Sequence, residues 1–219
     1  VTWIKGEEGS TVSIEVYRPS EDKYLTFEVE RKTIEIPMVT SKMLDNNIGY
    51  VAVYEFEETT SEQFNQAIDA LTAQGMKGLI IDLRDNPGGL VNSATAILDR
   101  ILSKDQLLVY TVDKNGKKQE EYTEDDETIN VPISVLINGN SASASEIVSG
   151  CLQDYGKAKL VGTTSFGKGI VQYVLPLGDG SAIKLTSAKY YTPNGRNIHG
   201  TGIDPDVEVE LNSDSETDT

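Results

Sequence analysis

The sequence predicts an α/β fold with parallel strands. This prediction rests on the order in which strand-like and helix-like apolar patterns follow one another. Apolar residues recur at helical spacing within residues 59–74 and again from Ala94 to Ile101. Between them, Gly78 to Leu83 is a short apolar run typical of a strand covered on both faces. A further strand is predicted before the first helix, from Ile48 to Phe56. Strand, helix, strand, glycine-rich loop and helix in this order are typical of α/β units.

The patterns that follow extend this core. Asn115-Gly116 predicts a hairpin turn within residues 108–130, which include an acidic surface stretch. Val131 to Ile137 is predicted to be a buried strand and Ser145 to Tyr155 a helix. Three more strands are predicted at residues 159–162, 171–175 and 182–187. Earlier in the chain, Ser61 offers an N-cap for the first helix, and residues 33–47 are expected to be a linker kept extended by Pro37.

The N-terminal part of the chain predicts a separate hairpin. Polar and apolar residues alternate from Thr11 to Tyr17 and from Tyr24 to Arg31, with a turn between them. Two strands alone are only marginally stable in water, so we expect this hairpin to be the end of a larger module. Residues 211–219 are polar and acidic, and disorder is expected there.

Composition excludes several functions. The chain has 35 acidic and 19 basic residues, and its net charge of -16 makes nucleic acid and anionic membranes poor partners. Cys151 is the only cysteine, which excludes an internal disulfide and a zinc site built from cysteines. No apolar run is long enough to cross a bilayer, so any signal or anchor is expected outside this sequence.

Ser143 lies where a predicted buried strand meets a helix, among small residues that would let a substrate backbone approach. The free N–H groups of a helix N-terminus stabilise an anion, so a serine there has oxyanion donors beside it. Glu146 follows three residues later, and this spacing also fits an ordinary capping box. The junction alone therefore leaves both interpretations open.

A serine nucleophile needs a base, and the sequence offers two. His199 is the only histidine and lies in a loop rich in Gly and Asn, where a histidine is more often solvated than catalytic. Lys168 lies between two glycines in a stretch without acidic residues, where burial would favour a neutral amine. A surface lysine or an anion-binding loop is the alternative for Lys168, although the spacing of a phosphate loop is absent.

Three segments together resemble the carboxyl-terminal processing peptidases, also called tail-specific proteases, of peptidase family S41. They are Asp82 to Gly89, Ser141 to Ile147 and Ser165 to Gln172. Tyr190 to Gly195 and Gly202 to Asp206 are similar to the closing segments of that family. The resemblance runs from about residue 48 to residue 209.

The resemblance implies a serine endopeptidase of ClpP/crotonase-like α/β fold that cleaves proteins near their C-terminus. It implies Ser143 as nucleophile, Lys168 as base and Gln172 as the residue that orients the base. It also implies an oxyanion hole of main-chain N–H groups from Gly88 or Gly89 and from Ala144. No metal or organic cofactor is expected.

The resemblance further implies that residues 1–36 are the last part of a PDZ domain, with the end of a helix at residues 1–5, and that residues 37–210 are the peptidase core. Protein or peptide substrates and an extracytoplasmic location, in a bacterial periplasm or at the cell surface, are implied as well. The exposed edges of the orphan hairpin suggest a possible homo-oligomer. The competing hypothesis is a noncatalytic peptide-binding or scaffold protein of the same fold, or an inactive fragment, and a hydrolase that depends on His199 is a third possibility.

Overall fold

The computed structural model describes residues 3–34, 36–126 and 128–210. The chain divides into two compact units, Val1–Pro37 and Met38–Thr219. The tail at 211–219, where disorder is expected, lies outside the described residues, and so do residues 1 and 2 of the predicted helix end.

The first unit contains an antiparallel hairpin, as predicted. Its strands are β1 (Thr11–Arg18) and β2 (Lys23–Glu30), with Thr11 opposite Glu30. Arg31 ties this unit together, since its guanidinium donates to the Ile4 carbonyl at 2.8 Å and to Ser10 Oγ at 2.9 Å. Trp3 and Ile4 lie in a turn, where the resemblance implied the end of a helix.

The second unit is built on a six-stranded sheet in the order β12-β9-β8-β5-β4-β3. Every neighbouring pair is parallel except β3 and β4, which are antiparallel. The α/β class with parallel strands is therefore confirmed. The strands are β3 (Val39–Leu44), β4 (Ile48–Val53), β5 (Gly78–Asp82), β8 (Ile133–Ile137), β9 (Ala158–Gly162) and β12 (Val207–Glu208).

The prediction of a linker over residues 33–47 was wrong for its second half, because β3 occupies it. Val39 pairs with Val53 and Leu44 with Ile48, so β3 is the edge strand of the sheet. An edge strand is covered on fewer sides than a central one, and its polar residues give no apolar run from which a strand could be predicted.

In the described part of the chain, three α-helices pack apolar faces into the core. They are α1 (Thr60–Ala73), α2 (Val91–Asp99) and α3 (Ala144–Asp154). The Ser61 cap was wrong, since α1 begins at Thr60. The Thr60 hydroxyl accepts from the Glu57 N–H at 2.8 Å and donates to the Glu55 carbonyl at 2.9 Å, and the helix starts two residues earlier than a Ser61 cap would place it. None of the helices in the described ranges is long and apolar enough to cross a membrane.

A four-stranded antiparallel sheet in the order β10-β11-β6-β7 completes this unit. The predicted turn at Asn115-Gly116 is confirmed, because β6 and β7 pair on either side of it and the Gly116 N–H donates to the Asp113 carbonyl at 3.0 Å. The four strands are β6 (Leu107–Asp113), β7 (Lys118–Tyr122), β10 (Ile170–Pro176) and β11 (Ala182–Tyr191).

The parallel pairing decides where the three sequence motifs meet. Strands β5, β8 and β9 are neighbours in the sheet and run in the same direction. Gly88-Gly89 follows β5, Ser143 follows β8 and Lys168 follows β9. Because the carboxyl ends of parallel strands lie at one edge of a sheet, all three loops belong to the same edge, where open α/β sheets bind ligands.

Candidate active site

Ser143 occupies a strained turn between β8 and α3. Its backbone has φ 57° and ψ −111°, whereas an ordinary N-cap residue is extended. A non-glycine residue in such a conformation costs about 1–3 kcal/mol and persists only where the surroundings enforce it. Ser143 is 8% exposed. Sharp strand-to-helix turns of this kind carry the nucleophilic serine in the α/β hydrolases, which makes Ser143 a candidate nucleophile.

Glu146 enforces this turn from inside the protein. Its side chain is fully buried, and Oε2 accepts the Ser143 N–H at 2.8 Å. The same oxygen accepts the Lys168 N–H, also at 2.8 Å. Oε1 accepts the Ser165 hydroxyl at 2.6 Å and the Gly167 N–H at 2.7 Å. One carboxylate thus binds the turn of the candidate nucleophile and the loop of the candidate base.

Lys168 is half-buried beside this network. In the described part of the chain, no carboxylate forms an ion pair with its ammonium. Its Nζ and Ser143 Oγ are not directly hydrogen-bonded. Such bonds are often long without substrate and tighten in the complex. The Gln172 amide donates to Thr186 Oγ1 at 3.2 Å.

The glycine loop after β5 lies against the Ser143 turn. A Cβ added at Gly88 would lie 2.8 Å from Ser143 Cβ and 2.9 Å from the Ala144 nitrogen. Ala144 is the first residue of α3, where main-chain N–H groups have no partner within the helix. The loop therefore brings main-chain donors close to the N-terminus of α3.

Gly88 and Gly89 differ in the hydrogen bonding of their main-chain N–H groups. The Gly88 N–H donates to Asn86 Oδ1 at 2.9 Å. Gly89 forms a parallel bridge with Phe56, in which the Gly88 carbonyl accepts the Phe56 N–H and the Leu90 N–H donates to the Phe56 carbonyl. In this pattern the N–H of the middle residue points away from its partner. The Gly89 N–H therefore points away from Phe56, whereas the Gly88 N–H is engaged by Asn86 Oδ1.

Asn86 holds the glycine loop and the Ser143 turn together. Its side chain is fully buried and donates to the Val53 carbonyl at 2.7 Å. Its main-chain carbonyl accepts the Ala142 N–H and the Ser145 hydroxyl, each at 3.0 Å. Together with the Gly88 N–H, these groups connect Asn86 to β4, to the glycine loop and to the residues on both sides of Ser143.

Asp85 makes a second connection between the same two loops. Its carboxylate accepts from the side-chain amides of Asn140 at 2.7 Å and Asn138 at 3.0 Å. These bonds, that from Asn140 first, lower the pKa of Asp85 below its usual value. The carboxylate is therefore ionised at neutral pH, which keeps the loops after β5 and β8 tied together.

His199 lies close to the lysine loop. A Cβ added at Gly169 would lie 2.6 Å from the His199 nitrogen, while the His199 side chain is exposed to solvent. Within residues 3–34, 36–126 and 128–210, no group of three His, Cys, Asp or Glu side chains could hold a metal ion.

The profile of peptidase family S41 matches residues 47–209. This chain belongs to peptidase family S41. The resemblance inferred from the three motifs is therefore confirmed. The profile does not reach residues 1–46, so the PDZ origin of the first unit stays a prediction.

Two relatives of this S41 chain are carboxy-terminal processing proteases. The chain is 41% identical over 212 residues to carboxy-terminal processing protease CtpB of Bacillus subtilis (strain 168), covering 94% of this chain and 44% of that relative. It is 40% identical over 219 residues to the carboxy-terminal-processing protease of Bartonella bacilliformis (strain ATCC 35685 / KC583 / Herrer 020/F12,63), covering 96% and 49%. The chain thus spans less than half the length of each relative.

A solved structure gives the same family and fold. The photosystem II D1 C-terminal processing protease superimposes with a TM-score of 0.71 and 30% sequence identity, over 94% of this chain and 57% of that one. The S41 core is thus an α/β peptidase fold, as predicted.

Sequence reasoning missed two residues that organise this site. It considered Glu146 only as the partner of Ser143 in a capping box, and it gave Asn86 no role. A signal was present for Glu146, since a buried carboxylate needs donors and only main-chain groups and hydroxyls were available nearby. That the Lys168 loop supplies them follows only from the fold.

Proposed function

We propose that this chain is the catalytic part of a serine endopeptidase in which Ser143 is the nucleophile and Lys168 the base, acting on proteins near their C-terminus. The observation that supports this most is the shared oxygen Glu146 Oε2. The main-chain nitrogens of Ser143 and Lys168 both donate to it at 2.8 Å, so two residues 25 positions apart share one hydrogen-bond acceptor, which supports a common site.

In the proposed reaction, the neutral amine of Lys168 takes the proton of Ser143 Oγ as that oxygen attacks a peptide carbonyl. The oxyanion is held by the N–H groups of Ala144 and of Gly89 or Gly88. Collapse of the tetrahedral intermediate breaks the C–N bond, and the protonated amine returns the proton to the leaving nitrogen. Water then hydrolyses the acyl-enzyme. Gln172, now bonded to Thr186, would turn toward Lys168 to orient it.

The test is cleavage of an unfolded protein by the wild-type chain and by S143A, K168A, Q172A and H199A. We expect S143A and K168A to lose activity, Q172A to lose part of it and H199A to keep it. Mass spectrometry of the fragments, collected over time, shows whether the first cuts lie near the C-terminus.

Two outcomes would favour the other hypotheses. Loss of activity in H199A alone, with K168A active, would make the exposed histidine the base. Absence of cleavage by the folded wild-type chain, together with measurable binding of the unfolded substrate, would support a noncatalytic binding protein or an inactive fragment.

The PDZ origin of residues 1–36, the extracytoplasmic location and a homo-oligomer belong to the same proposal for the longer protein. They rest on the family resemblance and on the exposed apolar side chains of the hairpin, such as Tyr24 and Phe27. Sedimentation at high concentration tests oligomerisation, and a monomer would count against it. Fractionation of cells that make the full-length protein tests the location.

A further inference from the structure

The loop that carries Lys168 is bound to the rest of the site through a buried pair, Glu146 and Ser165. Both side chains are largely shielded from water, at 0% and 7% exposure. The Ser165 hydroxyl donates to Glu146 Oε1 at 2.6 Å and accepts the Ile203 N–H at 2.8 Å. Ser165 therefore also connects the Glu146 carboxylate to residues 200–203, which are called the C-terminal segment below.

The C-terminal segment supports the lysine loop from its other side. The Ser165 N–H donates to the Ile203 carbonyl at 3.1 Å, and the Gly200 N–H donates to the Gly167 carbonyl at 2.9 Å. A Cβ at Gly167 would lie 3.0 Å from the Gly202 nitrogen. Because Gly167 also has φ +88°, which only glycine adopts easily, the close packing leaves this loop little freedom to shift.

Each carboxylate oxygen of Glu146 accepts two hydrogen bonds. Three of the four donors are main-chain N–H groups, which cannot accept a hydrogen bond, and the fourth is the Ser165 hydroxyl. Hydrogen bonds to an ionised acceptor are about twice as strong as neutral ones. Removal of the charge would weaken bonds on the Ser143 turn and on the Lys168 loop together.

We propose that the buried Glu146–Ser165 pair is a positioning device that fixes the Lys168 loop against the Ser143 turn, so that the base and the nucleophile keep one relative placement. This inference rests on the proposed function for its catalytic consequence. Its structural consequence, that the two loops loosen together, stands independently. Glu146 is a positioning residue because its contacts are with main-chain groups and Ser165.

The experiment compares E146Q, S165A and the double variant with the wild-type chain. In E146Q an NH2 group replaces one of the two carboxylate oxygens. Its hydrogens then face the two donors that this oxygen had accepted from. A displacement of about 1 Å in a catalytic group costs roughly 10²-fold in rate, so we expect kcat to fall about 100-fold with KM nearly unchanged. S165A removes one of the four hydrogen bonds to Glu146 together with the bond from the Ile203 N–H, and a loss of about tenfold is expected.

The double variant distinguishes a shared device from two separate contacts. If Ser165 acts through Glu146, E146Q/S165A has about the same kcat as E146Q alone, because the effects of mutations at interacting residues do not add. Losses that multiply would contradict the proposed pair. The variant S165T keeps the hydroxyl, and partial recovery of kcat relative to S165A is expected from it.

The matched control is D154N at the other end of α3. Asp154 is also a shielded carboxylate, 4% exposed, and it ties the helix to a C-terminal loop through Arg196 and through the Asn194 N–H at 2.8 Å. We expect D154N to lower the melting temperature but to leave kcat per folded molecule unchanged. Equal losses of kcat in D154N and E146Q would overturn the proposal, since any weakened tie of α3 would then suffice.

Hydrogen exchange makes the test independent of activity. In S165A and E146Q, the segments 141–147 and 164–170 are expected to exchange faster together, and in D154N neither does. Faster exchange of 164–170 alone would overturn the proposal. If the wild-type chain cleaves nothing but both segments loosen together, the proposed function fails and the positioning device stands.

Discussion

Gly88→Ala is the substitution that should most directly disturb the contact between the glycine loop and the Ser143 turn. Gly88 has φ +103°, and a residue with a side chain in such a conformation costs about 1–3 kcal/mol. The new Cβ would also lie 2.6 Å from the Ala142 carbonyl oxygen and 2.8 Å from Ser143 Cβ. Overpacking of this kind adds typically 1–3 kcal/mol. The free energy of unfolding should therefore fall by roughly 2–6 kcal/mol.

Gly116→Ala is the matched control, because Gly116 also has a positive φ but lacks the close contact. Gly116 has φ +81°, and a Cβ there would meet nothing within 4 Å. Calorimetry should show a lower melting temperature for G88A than for G116A, since each 1 kcal/mol shifts it by roughly 2–4 °C in a domain of this size.

Activity provides the second measurement on the same pair of variants. G116A should cleave an unfolded substrate like the wild-type chain, whereas G88A should lose roughly 10²-fold in kcat through displacement of the Ser143 turn. Equal melting temperatures, or equal activities per folded molecule, would refute the reasoning that the loop and the turn are in close contact.

Three further predictions concern buried groups away from the reacting atoms. Burial by itself would raise the pKa of Asp82, but hydrogen bonds from Arg84 and Tyr50 outweigh it and lower the pKa. The carboxylate thus adds stability above its unfolded pKa of about 3.9, and this is lost as the pH falls through the lower folded value. Urea titration should show a larger difference in the free energy of unfolding between wild type and D82N at pH 7 than at pH 3. An equal difference at both pH values would contradict this. Burial raises the pKa of the Cys151 thiol, so a thiol reagent at pH 8 should label the unfolded chain and spare the native one; rapid native labelling would disprove it. F64A should lower the free energy of unfolding by about 3–5 kcal/mol, since Phe64 is fully buried, and denaturant titration would exclude this by showing less than 1 kcal/mol.

The local elements of the fold could be predicted from the sequence because each has a periodicity of its own. The apolar spacing of α1 lies within its own residues, and the turn at Asn115-Gly116 depends on two neighbouring residues. The strands that were not predicted depend instead on pairing with other strands. Strand β3 is defined by its pairing with β4, and the two residues of β12 by their pairing with β9.

The candidate site shows the same division. The family could be recognised without a structure, because Ser143, Lys168 and the glycine loop lie in short motifs that occur in a fixed order, and the same motifs supply the residues of the proposed reaction. How these motifs come together depends on the fold, because hydrogen bonds between β5, β8 and β9 bring together loops that are far apart along the chain. Glu146 illustrates this division. A buried carboxylate must find donors, and the Lys168 N–H reaches it because β9, which separates the two residues along the chain, pairs in parallel with β8 and ends at the same edge of the sheet.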